Sequence, residues 1–427
     1  MAVTTAKIVE NMLGQFIETT DAQDSMLDLV KLDKPDAKKM QNASNFYWAN
    51  VQQRRPTIDG WDMSGEAGGI IQETYPKLLG TPSNDVITVR IDDARDDSYL
   101  KEAVKEGAVQ QNTKLNTALA SAISVQGSMF VRDDSTNAFD FLGECQAMMD
   151  ERQGKVTERT AILNTRNSLT FASDLGARQN IVGRPEDAWK SGVVANDVCG
   201  FKNVLTGSFL PSMVGDADAS RVVGATAPSY APRGGTVNAT TGVCTNYDYR
   251  KAVLTTVSNA GFIVGDKITI ANVYSVGLSD KQSSGELMTF TVLDVDSGGT
   301  DMTISPRPIA PASSDTSLTT VEGAYSNVDS QIAAGAAITR LNIDTADPKV
   351  NLFFDKSAIE VMGGIIPADK FKTFGGNDCI HGTLKNGLEA YMLYTSDILA
   401  ATLTYRLFVW YGITVCNPSN CGSSVKY

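Results

Sequence analysis

"DSYLKEAVKEGAVQQNTKLNTALASAISVQ", residues 97–126, is the stretch whose reading decides the fold. Its apolar side chains Leu100, Val104, Ala108, Leu115, Leu119 and Ile123 recur at spacings of three, four or their multiples, a single stripe along an α-helix. Asp96, Asp97 and Ser98 stand where caps and first-turn acids belong, because the first amides of a helix lack partners. At 1.5 Å per residue the run makes a rod of about 45 Å. Compact enzyme domains rarely need such a rod. A strut does. The acids at its head, Asp92, Asp93, Asp96 and Asp97, read as charges favoured by the helix dipole rather than as cation ligands.

Upstream, residues 44–91 hold no long helical pattern. "FYWANV" (46–51) is aromatic and strand-like, and "VITVRI" (86–91) alternates Ile87, Val89 and Ile91 with Thr88 and Arg90. Between them lies "PTIDGWDMSGEAGGIIQETYP" (56–76), framed by Pro56, Pro76 and Pro82, which cannot donate to a central ladder. Glycine-rich runs often cradle phosphate, but Gly60, Gly65, Gly68 and Gly69 fit neither GxGxxG nor GxxxxGK[ST]. No lysine follows them within the run, and Asp59, Asp62 and Glu66 would repel a polyphosphate. The stretch reads as an extended, twisted hairpin. Further upstream, Ile8, Val9, Met12, Leu13, Phe16 and Ile17 keep a helical period among the acids Glu10, Glu18, Asp21, Asp24 and Asp28. That is either an amphipathic arm or an ordinary core helix, and the pattern alone does not choose. "KPDAKK" (34–39) reads as a solvated face.

Downstream, a second helix is expected from Asn137 to Gly154, with Phe141, Cys145, Met148 and Met149 inward. "TAILNT" (160–165) follows as a buried strand and "SLTFASDLG" (168–176) as a short helix. At about residue 215 the texture changes. Residues 216–344 are rich in Thr, Ser, Gly and Val, with alternating runs such as "KITIANV" (267–273) and "LMTFTVLDV" (287–295). "DVDSGGTD" (294–301) resembles the start of a calcium loop, but its fifth position is Gly298 and the closing Glu is missing, so it reads as a hairpin turn. Short, evenly spaced strands imply a small β-barrel or sandwich. Helical character is expected again at "FDKSAIEVM" (354–362), then a strand-like finish at "YRLFVWYGITV" (405–415). The expected class is α+β, interrupted by an inserted all-β module.

Composition narrows the function. The 427 residues carry 37 basic against 49 acidic side chains, a formal net charge of −12, which disfavours a dedicated nucleic-acid binder. "MAVTTAKIVE" is not a secretory leader, and "LFVWYGITV" (407–415) is too short to span a bilayer, so a soluble chain made in the cytoplasm and facing no membrane is expected. Six cysteines without a CxxC pair read as reduced thiols, with Cys416 and Cys421 near enough in sequence to pair. His381 is the only histidine, so a triad or His-based metal site would have to form around it. Cys379, on the same strand face, is the one conceivable thiol partner. GxSxG, HExxH and SxxK signatures with their companions are absent in usable form. No catalytic, cofactor-binding or metal residues are expected, and no cofactor.

Several runs are familiar as a set. "GWDMSGEAGGI", "RIDDARDDSYLKEAVKEGA", "GRPEDAWKSG" leading to "VCGFKNVL", "VGDKITIANV", "NLFFDKSAIEVMGGIIPA" and "FVWYGITV" resemble, in this order across nearly the whole chain, the coat proteins of the Salmonella phage P22 type. The resemblance implies the tailed-phage capsid fold of the Hong Kong ninety-seven type, with an inserted β-barrel domain. It implies an N-terminal arm (1–43), an extended loop with peripheral-domain strands (44–96), a spine helix (97–128), axial and peripheral parts (129–215), the inserted barrel (216–344) and a second axial and peripheral part (345–427). The implied function is a major capsid protein that assembles with itself into hexamers and pentamers of an icosahedral head, in the virion, after assembly in the host cytoplasm. Implied partners are a scaffolding protein, a portal protein and packaged double-stranded DNA faced without sequence-specific binding.

On this reading Asp59, Trp61, Asp62 and Glu66 of the extended loop make inter-subunit contacts. Glu10, Glu18 and Asp21 of the arm dock a basic scaffold segment. Some phages of this fold weld subunits through a lysine in that loop; here residues 56–76 contain none and Lys77 lies at the edge. Two other classes remain open: an encapsulin-like compartment shell and a thiol hydrolase using Cys379 and His381.

Overall fold

The computed structural model describes residues 5–23, 26–33, 46–52, 72–80, 82–90, 97–133, 138–154, 156–177, 198–214, 220–222, 236–237, 244–245, 248–297, 299–316, 318, 320–342, 348–365, 378–397 and 399–426. Helix α1 (Thr5–Asp21) leads to β1 (Lys31–Asp33). Strands β2 (Phe46–Gln52) and β3 (Gln72–Leu78) pair as a two-stranded sheet, and β4 (Ser83–Arg90) precedes α2 (Asp97–Gln126). Next come β5 (Met129–Asp133), α3 (Ala138–Glu151), β6 (Arg159–Asn164), α4 (Thr165–Ala177) and β7 (Asn203–Gly207). Strands β8 (Ser220–Val222), β9 (Thr236–Val237), β10 (Cys244–Thr245), β11 (Ala252–Thr255), β12 (Lys267–Val276), β13 (Ser283–Val295), β14 (Asp301–Ser305) and β15 (Ala337–Arg340) follow. The chain ends through β16 (Asn351–Asp355), β17 (Ile359–Gly363), β18 (Asp378–Thr383), β19 (Glu389–Asp397), β20 (Thr402–Val409), β21 (Tyr411–Val415) and β22 (Cys421–Lys426).

Contacts group these elements into two compact units, residues 1–47, 77–119 and 360–414 in the first and 48–76, 120–359 and 415–427 in the second. In the first, β18, β19, β20 and β4 form an antiparallel sheet in that order, and β1 adds parallel to β17 beside β21. The long helix falls where its stripe placed it, and Leu100, Val104, Ala108, Leu115, Leu119 and Ile123 are all buried. A Cβ at Gly107 would lie 2.1 Å from Asp85 Oδ2, so the Asp85 carboxylate of β4 occupies the space that a side chain on α2 would fill.

In the second unit a mixed sheet runs β5-β22-β16-β6-β7, parallel at its two outer pairs and antiparallel within. Phe141, Cys145 and Met149 of α3 and Phe171 of α4 pack on Leu163 and Phe353 of that sheet, with Met148 partly buried beside them. The helix starts at Ala138 and stops at Glu151, three residues short of the expected Gly154.

The inserted strands form an antiparallel sheet in the order β11-β14-β13-β12-β15-β8 around Ile268, Phe290, Val292, Ile304 and Ile338. The Val257 amide donates to the Val222 carbonyl at 3.1 Å, so the chain just beyond β11 meets the end of β8 and the sheet curls back on itself. At the base of this module Ser212 bridges Lys349, the Met213 amide donates to Pro348 O at 3.0 Å, and Val350 donates to Pro211 O at 3.1 Å.

The run 354–362 is not helical. β16 passes through a single 3₁₀ turn, Lys356–Ala358, into β17. Asp355 fixes that turn: its carboxylate accepts the Ser357 amide at 3.0 Å and the Thr157 and Glu158 amides at 2.7 and 3.1 Å. Every residue of both strands is buried, and a continuous apolar run has no period that separates strand from helix.

Candidate assembly surface

In the first unit α1 is seated through Met12, Leu13 and Phe16, all buried. Its neighbour is β18, where a Cβ on Gly382 would stand 2.5 Å from Ile17 Cδ1; the missing side chain makes the seat. Below α1 the chain is held by the long helix, as Asn112 Nδ2 donates to Gln23 Oε1 and Met26 N to Asn116 Oδ1, each at 3.0 Å. Glu10 and Glu18 are exposed on α1. Asp21 is half-buried and accepts the Lys385 amide at 2.9 Å. Of the three arm acids, two therefore present their carboxylates outward and the third also caps a turn.

The same unit contains a buried ion cluster. Lys77 Nζ lies 2.7 Å from Glu360 Oε2 and 2.9 Å from Asp33 Oδ2, and Lys31 Nζ lies 2.9 Å from Glu360 Oε1. Lys77 and Glu360 are only 4% and 3% exposed, so each charge depends on its partners. Burial works against the Lys77 ammonium, yet Glu360 and Asp33 outweigh it and hold its pKa above the ordinary lysine value. Burial likewise opposes the Glu360 carboxylate, but Lys77 and Lys31 draw it down to about 2. The two carboxylates therefore hold Lys77 in its ammonium form at neutral pH.

In the second unit, strands of the insertion complete the end of α2. The last carbonyls of a helix have no partners of their own. Lys267 of β12, fully buried, donates through Nζ to Ser124 O at 2.7 Å, Gly127 O at 2.5 Å and Thr291 Oγ1 at 3.1 Å. Thr291 of β13 in turn donates to Val125 O at 2.7 Å. Burial pushes the Lys267 pKa down to about 7, against the smaller opposing influence of Cys421 and Asp266. Arg152, equally buried, donates to Ser128 Oγ at 3.0 Å and to Thr289 Oγ1, and desolvation lowers its pKa to about 10. Arg340 pairs with Asp266 at 2.9 Å over the Phe262 ring. These cations tie strands and helix ends together.

For catalysis the arrangement offers little. Cys379 is buried with Tyr391 and Phe408, while His381, two residues along, is exposed beside Tyr391 at 6.0 Å between ring centroids. Among the described residues no group of three His, Cys, Asp or Glu side chains is placed to hold a metal ion. Cys416 and Cys421 are not joined by a disulfide; the Cys421 thiol is buried, donates to Asn417 O at 3.7 Å, and has its pKa pushed up to about 12 by desolvation. Among the described residues no helix is long and apolar enough to cross a membrane.

Asp59, Trp61, Asp62 and Glu66 lie outside the described residues, as do Asp92, Asp93, Asp96 and the run 34–39. The ion cluster and Lys267 escaped the reading of the sequence. Glu360 left one trace, an acid inside an otherwise apolar run, which marks a buried charge that must be paired. Lys267 left none, since a lysine opening a strand ordinarily faces water.

A family model described as "P22 coat protein - gene protein 5" matches residues 1–426. Among solved structures the chain is similar to one from Mycobacterium phage Che8, with 10% identity, 94% of this chain and 91% of that one covered, and a TM-score of 0.44. A structure titled "CUS-3 coat protein I-domain" is 34% identical over 30% of this chain and 99% of its own, at a TM-score of 0.22. A virus-like particle from Pyrococcus furiosus is 7% identical, with 97% and 98% covered and a TM-score of 0.39.

Proposed function

The chain belongs to the P22 coat protein family, and on that premise we propose how it builds a phage head. It is a major capsid protein, a structural subunit of which many copies make up the capsid of the virion. The observation that carries this is the family match from residue 1 to residue 426. The subunits close as hexamers and pentamers into an icosahedral shell around packaged double-stranded DNA, and assembly takes place in the host cytoplasm. Each contact is modest, and repetition makes the shell strong. The subunit performs no chemistry of its own; the Cys379 thiol, buried against Tyr391 and Phe408, supports that reading. Its net charge of −12 suits an inner wall that repels DNA and lets it spool without sequence-specific binding. A portal protein would occupy one vertex.

Assembly is guided by a scaffolding protein whose basic segment docks on the arm. Glu10 and Glu18, exposed on α1, support this role, and Asp21 contributes what charge its bond to Lys385 leaves available. Asp59, Trp61, Asp62 and Glu66 make the contacts of the extended loop with a neighbouring subunit, Trp61 as the apolar anchor. Electron microscopy of the chain co-expressed with a basic scaffold tests the whole reading. Closed shells are expected, and Glu10→Lys with Glu18→Lys should abolish scaffold-directed closure. Undiminished shell yield from that double variant removes the docking site, and a chain that never forms particles removes the function.

A further inference from the structure

Between the inserted module and α3 the second unit holds a cleft of about 540 Å³, lined from β12 and β13 on one side and from α3 and β5 on the other. A cavity of this volume accommodates a small molecule. Val131, Met148, Leu287 and Leu341 give it apolar surface. Three carboxylates (Glu144, Glu151, Glu286) and two guanidinium groups (Arg132, Arg152) also reach it, which leaves the lining a net charge of −1. Arg132 and Glu144 are engaged by other groups, and Arg152 gives its protons to the Ser128 and Thr289 hydroxyls. The carboxylates of Glu151 on α3 and Glu286 on β13 have no hydrogen bond or ion pair among the described residues. Desolvation, then the charge of Glu286, raises the Glu151 pKa, against the smaller pull of Arg152. The two carboxylates thus repel each other with no cation between them. Thr269 of β12 lines the same cleft at 7% exposure, and its hydroxyl bonds to no described residue. A hydroxyl buried this far ordinarily has a partner.

We propose that this cleft binds an alkylammonium ion, a primary amine cation carried on an aliphatic stem. An ammonium has three protons to give and no lone pair. Glu151, Glu286 and the Thr269 hydroxyl are three acceptors without described partners, and one positive charge matches the net −1 of the lining. The stem lies along Val131, Met148 and Leu287, where each buried methylene adds roughly fourfold to affinity. A bare divalent cation fits less well, because calcium takes six to eight oxygen ligands and much of this wall is apolar. Binding removes the repulsion between Glu151 and Glu286 and so ties the inserted module to α3. The site goes beyond the shell-building function and does not depend on it.

Titration calorimetry of the unassembled full chain at pH 7.5 and fixed salt tests this, with hexylammonium as the probe. Methylammonium, which lacks the stem, and hexanol, which lacks the charge, are the comparison ligands. Hexylammonium should bind one to one and at least tenfold more tightly than either. The double variant Glu151→Gln with Glu286→Gln should weaken it at least tenfold, while Glu102→Gln, on the exposed face of α2, leaves it within twofold of wild type. Urea midpoints establish that each variant folds. Should the glutamines lower the midpoint, Thr269→Val is read in their place and must weaken binding threefold or more. Absence of saturable binding, equal affinity for hexylammonium and methylammonium, or undiminished binding by the folded variant overturns the site. None of these results touches the shell-building function, which is read from assembly.

Discussion

Replacing Lys267 by methionine sets two opposing effects against each other and lets pH tell them apart. The ammonium is fully buried, and burial lowers its pKa from 10.5 to about 7. An unfolded chain therefore binds more protons than the folded one between about pH 7 and pH 10.5, so stability rises with pH through that window. The slope is a little over 1 kcal/mol per pH unit, and the whole rise is at most about 5 kcal/mol. The carbonyls of Ser124 and Gly127, aimed at the ammonium from 2.7 and 2.5 Å, favour the charged form and act to reduce it. Methionine matches the volume and removes both the titration and the donor. Its cost is two helix-end carbonyls left without partners, about 1–3 kcal/mol each. Near pH 7 the relieved desolvation offsets that loss and the two proteins should unfold at similar urea concentrations. Near pH 10 the wild-type penalty has faded, and the variant should be less stable by roughly 2–6 kcal/mol. Urea titrations of unassembled subunits followed by tryptophan fluorescence at pH 7, 8, 9 and 10 measure this directly. Tyrosines and Arg152 titrate in both proteins and cancel in the difference. Parallel pH profiles for the two proteins would refute the reasoning, because they would mean that the Lys267 ammonium is not desolvated in the fold.

Glu360→Gln should destabilise the first unit by about 3–5 kcal/mol by leaving Lys77 without its main counter-charge. Because Glu360 titrates at about 2 when folded against 4.5 unperturbed, the wild type should keep its stability above pH 4.5 and lose it as pH falls toward 2. The glutamine variant should lack that acid limb in equilibrium unfolding. Gln111 is buried with neither Nε2 nor Oε1 bonded to a described residue, so Gln111→Met should raise the urea midpoint by the equivalent of about 1–2 kcal/mol; a fall instead would mean that the amide has partners. Gly127→Ala places a Cβ 2.7 Å from Ile123 O and 2.9 Å from Cys421 O, both backbone atoms that cannot swing aside. A loss of about 1–3 kcal/mol is expected by thermal unfolding, and an unchanged midpoint would contradict that packing.

The parts legible in the sequence are those with a period. The six apolar positions of the long helix are spaced so that only one helical face can collect them, and all six are buried. Alternation at "KITIANV" and "LMTFTVLDV" likewise fixed strands β12 and β13. Residues 354–362 misled because burial on every side erases periodicity, and the carboxylate of Asp355 turned a seeming helix into a strand-to-strand corner. Of the candidate contact residues, the arm acids could be placed by their spacing on α1, while the loop residues 59–66 had composition alone to speak for them.

Local pattern by itself determined the long helix, the strands of the inserted β module and the lack of catalytic signatures, because side-chain periodicity and turn chemistry act over a few residues. Only the tertiary structure decided which charges are buried and who answers them. Lys77 meets Asp33 and Glu360 from segments 44 and 283 positions away, and Lys267 reaches the end of a helix about 140 positions earlier. Desolvation makes a buried charge depend on its partners, and those partners come from distant chain that no local window contains.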